Sequence, residues 1–493
     1  MSHWLPVVVM FPLVAAAVTP ILALGRAHVA QAWALLVVAL TSIGAVFLTS
    51  RLVLEGPFSY AMGGWSRPYG IELRFDEFSA AILFVSLIHL LVVVYSRHYA
   101  ARVLSAARLP WYYTLLLLNF GGMIGFAVTA DLFNLFVFME LVSVSSYALV
   151  AIGGGRVAPL AAFRYLLAGA SSSVLILFCI GVIHALTGSL NMADVSLRLG
   201  ETPAAAPVAL ALGGLAAGFM VKAALFPLHA WLPDAHANAP SPVSAVLSGI
   251  VVKLGILGLL RVYQVFHDAG GAPVAALNEV LVWLGAASIL AGAFFALFQD
   301  DIKLILAYST VSNIGYIVLG LGLASQQSVT GATIHVLNHA LIKATLFLAV
   351  GALIHQTGCR TLYELRGAGH AMPFTSFALA TGLLAVIGVP PLAGFPGKWY
   401  VALGALAAGR PAFAVLVALS TVLASAYCAR ILNALYFQPP SQERILGTHE
   451  APASMLLPLL VLAGLCLVAG VLARFPVALV GPAVARLLAP ATG

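Results

Sequence analysis

Apolar runs of membrane-spanning length follow one another along almost the whole chain, and nothing else in the sequence limits the available folds so tightly. A bilayer core takes about 20 apolar residues of helix to cross. Such runs fall at roughly 4–24, 28–49, 75–96, 111–130, 131–152, 160–186, 206–232, 240–266, 273–298, 302–323, 328–355, 372–408, 411–437 and 453–474. In lipid every backbone amide must be bonded inside the protein, which leaves helices or closed barrels. Long runs without strand-like alternation select helices. The expected fold is an all-α polytopic membrane protein of about fourteen spans. Of 493 residues, 62% are hydrophobic and 8% charged, against about 25% charged in a soluble domain. The formal charge of +7 is scattered; without a basic stripe and interleaved aromatics, a nucleic-acid partner is excluded from the expectation. The stretch 475–489 is apolar but short, and is expected at the lipid–water interface.

Connections are short. The turn between the fourth and fifth spans must be tight, because Asp131 is its one polar break. Orientation follows the loop cations. Odd-numbered loops hold Arg97, Arg102, Arg108, Arg156, Lys303 and Arg444 among others, and the even-numbered loops hold fewer. That bias puts odd loops in the cytoplasm and both termini outside, in a multi-pass cell-membrane protein. Cys179, Cys359, Cys428 and Cys466 are far apart, which fits small core residues rather than disulfides or metal ligands.

Two spans are interrupted. The seventh, KAALFPLHAWLPDAHANAPSPVSA, is broken at Pro227; the twelfth carries GVPPLAGFPGKW, with Pro390, Pro391 and Pro396. Proline removes a helix hydrogen bond and clashes with the preceding turn. Broken backbone at membrane depth survives only inside protein or beside a wet cavity. The breaks are five spans apart. That spacing suggests two five-helix units, 111–270 and 271–437, between N-terminal helices in 1–110 and a C-terminal helix and tail in 438–493. An odd number of helices inverts the second unit relative to the first, and paired broken helices point to a transport pathway.

The intramembrane charges mark that pathway. Glu140 lies within DLFNLFVFMELVSVSSY. A charge at mid-bilayer costs about 2.5–3.5 kcal/mol even on insertion scales. Lys222, Lys253 and Lys343 lie equally deep. Burial disfavours an ammonium and a nearby carboxylate restores it, so a lysine with a carboxylate partner can serve as a switchable proton carrier. Glu140 is the deep acidic residue of the first unit, which pairs it with Lys222. His335, His339 and Lys343 recur every fourth residue on one helix face, the pattern of a proton wire. Tyr308, Ser309, Thr310, Ser312 and Asn313 can order water beside it. Lys398, after the second break, is the exit-side carrier. His229, Asp234 and His236 match no zinc spacing and are expected to order the connector or form a proton entrance. Asp300, Asp301 and Lys303 suit a helix start. No nucleophilic triad, phosphate loop or dinucleotide fingerprint is present. The chain is therefore read as having no active site, cofactor or metal of its own.

DLFNLFVFMELVSVSSYALV (131–150), KAALFPLHAWLPDAHANAPSPVSAVLSGIVVKLGI (222–256), AYSTVSNIGYIVLG (307–320) and HVLNHALIKATLF (335–347) resemble one family. It comprises the antiporter-like proton-channel subunits shared by respiratory complex I, membrane-bound hydrogenases and Mrp-type cation/proton antiporters. The resemblance implies fourteen helices, inverted five-helix repeats with broken helices 7 and 12, and a polar axis through Glu140, Lys222, Lys253, His335, His339, Lys343 and Lys398. It also implies work inside a multisubunit membrane complex that moves protons, coupled to redox chemistry or to sodium exchange. DLFNLFVFMEL and TGSLNMADVS (187–196) are most similar to the D-type member of the Mrp antiporters. The alternatives are complex I and hydrogenase subunits; a lysine at 398 counts against the M-type complex I subunit, which usually carries Glu there.

Overall fold

The computed structural model describes residues 3–489, except 25, 203–204, 270–271, 443–444 and 446. Arg444, counted above among the loop cations, lies outside the described residues. In chain order the elements are α1 (Trp4–Leu22), α2 (Ala27–Glu55), the strands β1 (Phe58–Ala61) and β2 (Glu72–Phe75), α3 (Ile82–Val103), α4 (Leu109–Val128), α5 (Leu132–Ala151) and α6 (Val157–Thr187). Then come α7 (Met192–Gly200), α8 (Ala205–Lys222), α9 (Trp231–Asn238), α10 (Ser241–Val246), α11 (Val252–Asp268), α12 (Ala272–Leu297), α13 (Ile302–Gly322) and α14 (Gln326–Thr357). The chain closes with α15 (Ala368–Ala371), α16 (Pro373–Ile387), α17 (Gly394–Ala407), α18 (Pro411–Leu432), α19 (Ala453–Val471) and α20 (Arg474–Leu488).

Among the described residues, thirteen helices are long and apolar enough to cross a membrane. The interrupted pair α16 and α17 supplies the remaining expected span. Polar caps set the ends. Asp131 accepts a hydrogen bond from the Asn134 amide at 2.7 Å and starts α5 after a turn of three residues. Ser325 and Ser328 form a reciprocal capping box on α14. Gly188 and Gly358 end α6 and α14 at φ +65 and +68, where a left-handed residue suits glycine.

The connections gather on two faces. On one, Leu73 of β2 bridges Thr129, and Asp131 bridges Asn191. On the other, Asp301 bridges Thr361, and the Arg360 guanidinium donates to Ala237 O at 2.9 Å. The first face thus carries even-numbered loops and the second odd-numbered ones. The hairpin β1–β2, pairing Phe58 with Phe75, occupies the longest polar connection.

Helices α11, α13 and α14 form the buried centre, with α1, α2, α6 and α19 outside them. Glycines permit the closest approaches. A Cβ on Gly255 of α11 would lie 2.4 Å from Ala223 N beside the end of α8, and one on Gly292 of α12 would lie 2.4 Å from Ser312 N of α13.

The breaks fall where proline demanded, with one refinement. The seventh span stops helically at Lys222 and resumes at Trp231, around Pro227. The twelfth is open over 388–393, around Pro390 and Pro391. Pro396 instead sits in the first turn of α17, where a missing N–H leaves no intrahelical bond unmade.

Candidate proton pathway

The first cluster joins α5, α6 and α8. One turn of α5 places Glu140 and Ser143 on the same face. Lys222, the last residue of α8, donates to Ser143 Oγ at 2.9 Å and to Glu140 Oε1 at 3.4 Å. Ser173 of α6 donates its hydroxyl to the same carboxylate. The lysine is 8% exposed, whereas the Glu140 side chain is 30% exposed toward the surface of the bundle. A helix C-terminus favours a cation, so the break itself helps hold the Lys222 ammonium. Neighbours satisfy the opened backbone: Trp231 Nε1 donates to Val221 O at 3.0 Å, and Phe226 N donates to Ser288 Oγ at 3.2 Å.

The second cluster is central. Between α10 and α11 the helix widens into a π turn, Leu247–Val251. Such turns displace the normal ladder and are frequent at functional sites. Lys253 lies two residues beyond it, after Val252, and donates to the Ser248 carbonyl. Ser248 Oγ meets Thr310 Oγ1 of α13 at 2.7 Å. On α14, Lys343 donates to Leu306 O at 2.8 Å and to Ser309 Oγ. His335 Nε2 lies 3.1 Å from Asn313 Oδ1, and the His335 and His339 rings stack with centroids 5.8 Å apart. Among the described residues none of Lys253, Lys343 and Lys398 makes a salt bridge; they are held by carbonyls and hydroxyls.

Lys398 closes the row. Its Nζ donates to Val386 O at 2.7 Å and Ile387 O at 3.2 Å, and lies 4.5 Å from the centre of the Tyr316 ring. The carbonyl end of α16 therefore faces the ammonium carried by α17, a half-helix arrangement suited to a cation.

The structure thus brings together Glu140 with Lys222, and sets His335, His339 and Lys343 along one face of α14. No hydrogen bond among the described residues joins Lys222 to Lys253. The connector residues divide. His229 packs among Phe226, Phe295 and Tyr308. Asp234 forms an exposed ion pair with Arg164. His236 is wholly buried, stacks on Phe347 at 4.6 Å, and has Lys303, Lys343 and Lys253 as its charged neighbours. Grouping it with the connector misses this. The signal is its i+4 spacing from Leu232, which sets it on the buried face of α9, away from Asp234.

The helix-start role expected of Lys303 covers only its backbone. Asp301 does cap α13, accepting from Lys303 N at 2.8 Å, and pairs with Arg360 at 2.6 Å. The Lys303 side chain, however, is buried and donates to Ala239 O at 2.6 Å; nothing in its sequence neighbourhood signals that. A buried ion pair also escapes the sequence. Arg261 of α11 grips Asp76 at 2.5 and 2.9 Å. Burial alone would raise the Asp76 carboxyl, but the charge and hydrogen bonds of Arg261, with help from Ser79, hold it below its ordinary value. Among the described residues no group of three or more His, Cys, Asp or Glu could hold a metal ion.

The transmembrane signature of the NADH:quinone oxidoreductase/Mrp antiporter family matches residues 129–424. The chain is 39% identical over 442 residues, 86% of each protein, to the N subunit of the NADH-quinone oxidoreductase of Desulforudis audaxviator. It is 30% identical over 391 residues, 78% of each, to the D subunit of the Na(+)/H(+) antiporter of Bacillus subtilis. Its fold matches a chain of the Mrp complex from Dietzia sp. with TM-score 0.88 at 25% identity, covering 99% of this chain and 98% of that one. It also matches a chain of the membrane-bound sulfane sulfur reductase, an archaeal respiratory membrane complex, with TM-score 0.91 at 30% identity, covering 98% and 97%. The chain belongs to the NADH:quinone oxidoreductase/Mrp antiporter transmembrane family.

Proposed function

We propose that this chain is the proton-translocating subunit of a multisubunit Mrp-type cation/proton antiporter, set in the bacterial or archaeal cell membrane with both termini outside. The proton enters beside the break after α8 and is held at Lys222 under the control of Glu140. It passes Lys253 and the His335–His339–Lys343 face and leaves at Lys398. The two five-helix units, 111–270 and 271–437, are related by inversion and each supplies one broken helix. The observation that carries this reading is a row of buried lysines of which one, Lys222, faces a carboxylate at hydrogen-bond distance. A buried lysine with a movable counter-ion can take up and release a proton. Sodium is the second ion, and the other subunits of the complex are the partners.

The test is sodium-dependent proton exchange in vesicles carrying the assembled complex. Glu140→Ala abolishes exchange while assembly persists; unchanged exchange removes Glu140 from the mechanism. Lys222→Arg blocks exchange although its charge is kept, because arginine does not release its proton in a protein. A second reading, the same pathway driven by redox partners, draws on the 39% identity to a relative named as the N subunit of an NADH-quinone oxidoreductase. Identification of the subunits that co-purify with the chain separates the two.

A further inference from the structure

An apolar groove of about 770 Å³ runs between α2, α3, α14, α19 and α20. Val53, Leu472 and Phe475, all well exposed, form its mouth, and Leu337, Leu341 and Leu465 line its inner part. Behind it lies a cavity of about 110 Å³, lined by apolar side chains of α3, α11 and α14 and by Lys253. Groove and cavity share Glu77, Phe84, Leu337 and Leu479 in their walls, so they adjoin.

We infer that this groove binds one acyl chain of a membrane phospholipid, with the phosphate at the mouth beside Arg474 and the chain end reaching toward the cavity behind Lys253. Depth supports that occupant. The mouth lies where α2 and α19 end and α20 begins, at the level of the even-numbered connections. Leu341 is fifteen residues into α14, about 22 Å along the helix, the thickness of about one leaflet with its headgroup layer. Helix α20 lies over the mouth as an interfacial helix would. It buries Val480, Val484 and Leu487, pairs Arg486 with Glu77, and accepts at Gly481 O from Gln326.

The wall chemistry favours methylenes over a polypeptide. Its polar members are Glu77, paired with Arg486, and Asn338, whose amide is given to Ala393 O at 2.6 Å. A protein segment with open backbone groups would find few partners there, and a helix about 10 Å wide would not enter the inner cavity. Charge supports the headgroup position. Arg474 is exposed and takes part in no ion pair among the described residues.

The experiment uses the complex in native membranes with a phosphatidylglycerol carrying a diazirine near the end of one acyl chain. Photolysis followed by peptide mapping should label α14 around Leu337–Leu341 and α19 around Leu465. Ala469→Trp, at a half-buried position of the groove wall, and Ala478→Trp, at an exposed one, should separately abolish that labelling. Arg474→Ala should lower it about fivefold at fixed lipid, the effect of one basic residue at a membrane surface. Labelling confined to outward residues such as Val461 and Leu467, and indifferent to both tryptophans, overturns the inference. So does a cryo-EM map of the complex with a polypeptide segment in the groove.

Discussion

Replacing Asp76 by Asn tests how the helix that carries Lys253 is held. Arg261 stands two turns beyond Lys253 on α11, and its grip on Asp76 at 2.5 and 2.9 Å ties that helix to the start of α3. Both side chains are nearly inaccessible, at 7% and 8%. Asparagine keeps the size and can still accept from Ser79 N, which now bonds Asp76 Oδ1 at 2.9 Å. What is lost is the charge. Arg261 then remains buried with the retained amide oxygen, Ser79 Oγ at 3.1 Å and Ala127 O at 3.3 Å as its acceptors, and with no counter-charge beside it. Breaking a buried pair from one side costs about 3–5 kcal/mol, because the surviving charge is uncompensated. The assay is thermal unfolding in detergent, followed by a thiol-reactive dye that reports exposure of the buried Cys179, Cys428 and Cys466. Asp76→Asn should lower the midpoint by several degrees, and adding Arg261→Met should restore most of it. The pH dependence has a definite sign. A carboxyl held below its ordinary value contributes stability that is present above about pH 4 and lost as pH falls through the folded value. The wild type should therefore lose stability in acid more steeply than Asp76→Asn. An unaltered midpoint in the single variant, or a double variant less stable than the single, refutes the reasoning.

Two further substitutions probe the scaffold. Asp131→Ala removes the cap of α5 and should cost about 0.5–2 kcal/mol, seen as a small fall in the unfolding midpoint with exchange activity retained. Gly255→Ala places a methyl 2.4 Å from Ala223 N and 2.6 Å from Phe219 O. Helices α8 and α11 must part, so both the unfolding midpoint and vesicle exchange should fall.

The spans and breaks were legible because lipid imposes one simple rule on the backbone, and long apolar runs and prolines report it directly. The Glu140–Lys222 pair was legible for the same reason: deep charges are few, and the stretch 111–270 holds one deep carboxylate. Details set by packing were not. The π turn before Lys253 leaves no mark in LSGIV, because an inserted residue in a uniformly apolar helix changes no pattern. The hairpin of 58–75 has only four residues per strand, too few for alternation to speak. Lys303 is buried by long-range packing against the end of α9, where it donates to Ala239 O, and it looks like an ordinary helix-start residue in its own neighbourhood. Arg261 and Asp76 are 185 positions apart, and no local rule pairs them.

His339 offers the sharpest separation of a transport role from a structural one. It is fully buried, yet neither ring nitrogen has a hydrogen-bond partner among the described residues. The ring therefore adds no hydrogen bond within the chain to the fold, and the chain's own contacts give no reason for a histidine rather than an apolar ring here. Phenylalanine is close in shape and can keep the near-parallel stack on His335, whose planes differ by 9°. His339→Phe should therefore leave the unfolding midpoint unchanged or raise it, while lowering proton exchange at least tenfold. His335→Phe is the contrast. It strands Asn313 Oδ1, now 3.1 Å from His335 Nε2, and should lower both stability and exchange. Wild-type exchange in His339→Phe would take the proton path off this face of α14. A loss of assembly in the same variant would make the ring a packing element. Loss of exchange in a complex as stable as the wild type keeps His339 in the proton path, either carrying the proton itself or ordering the water that does.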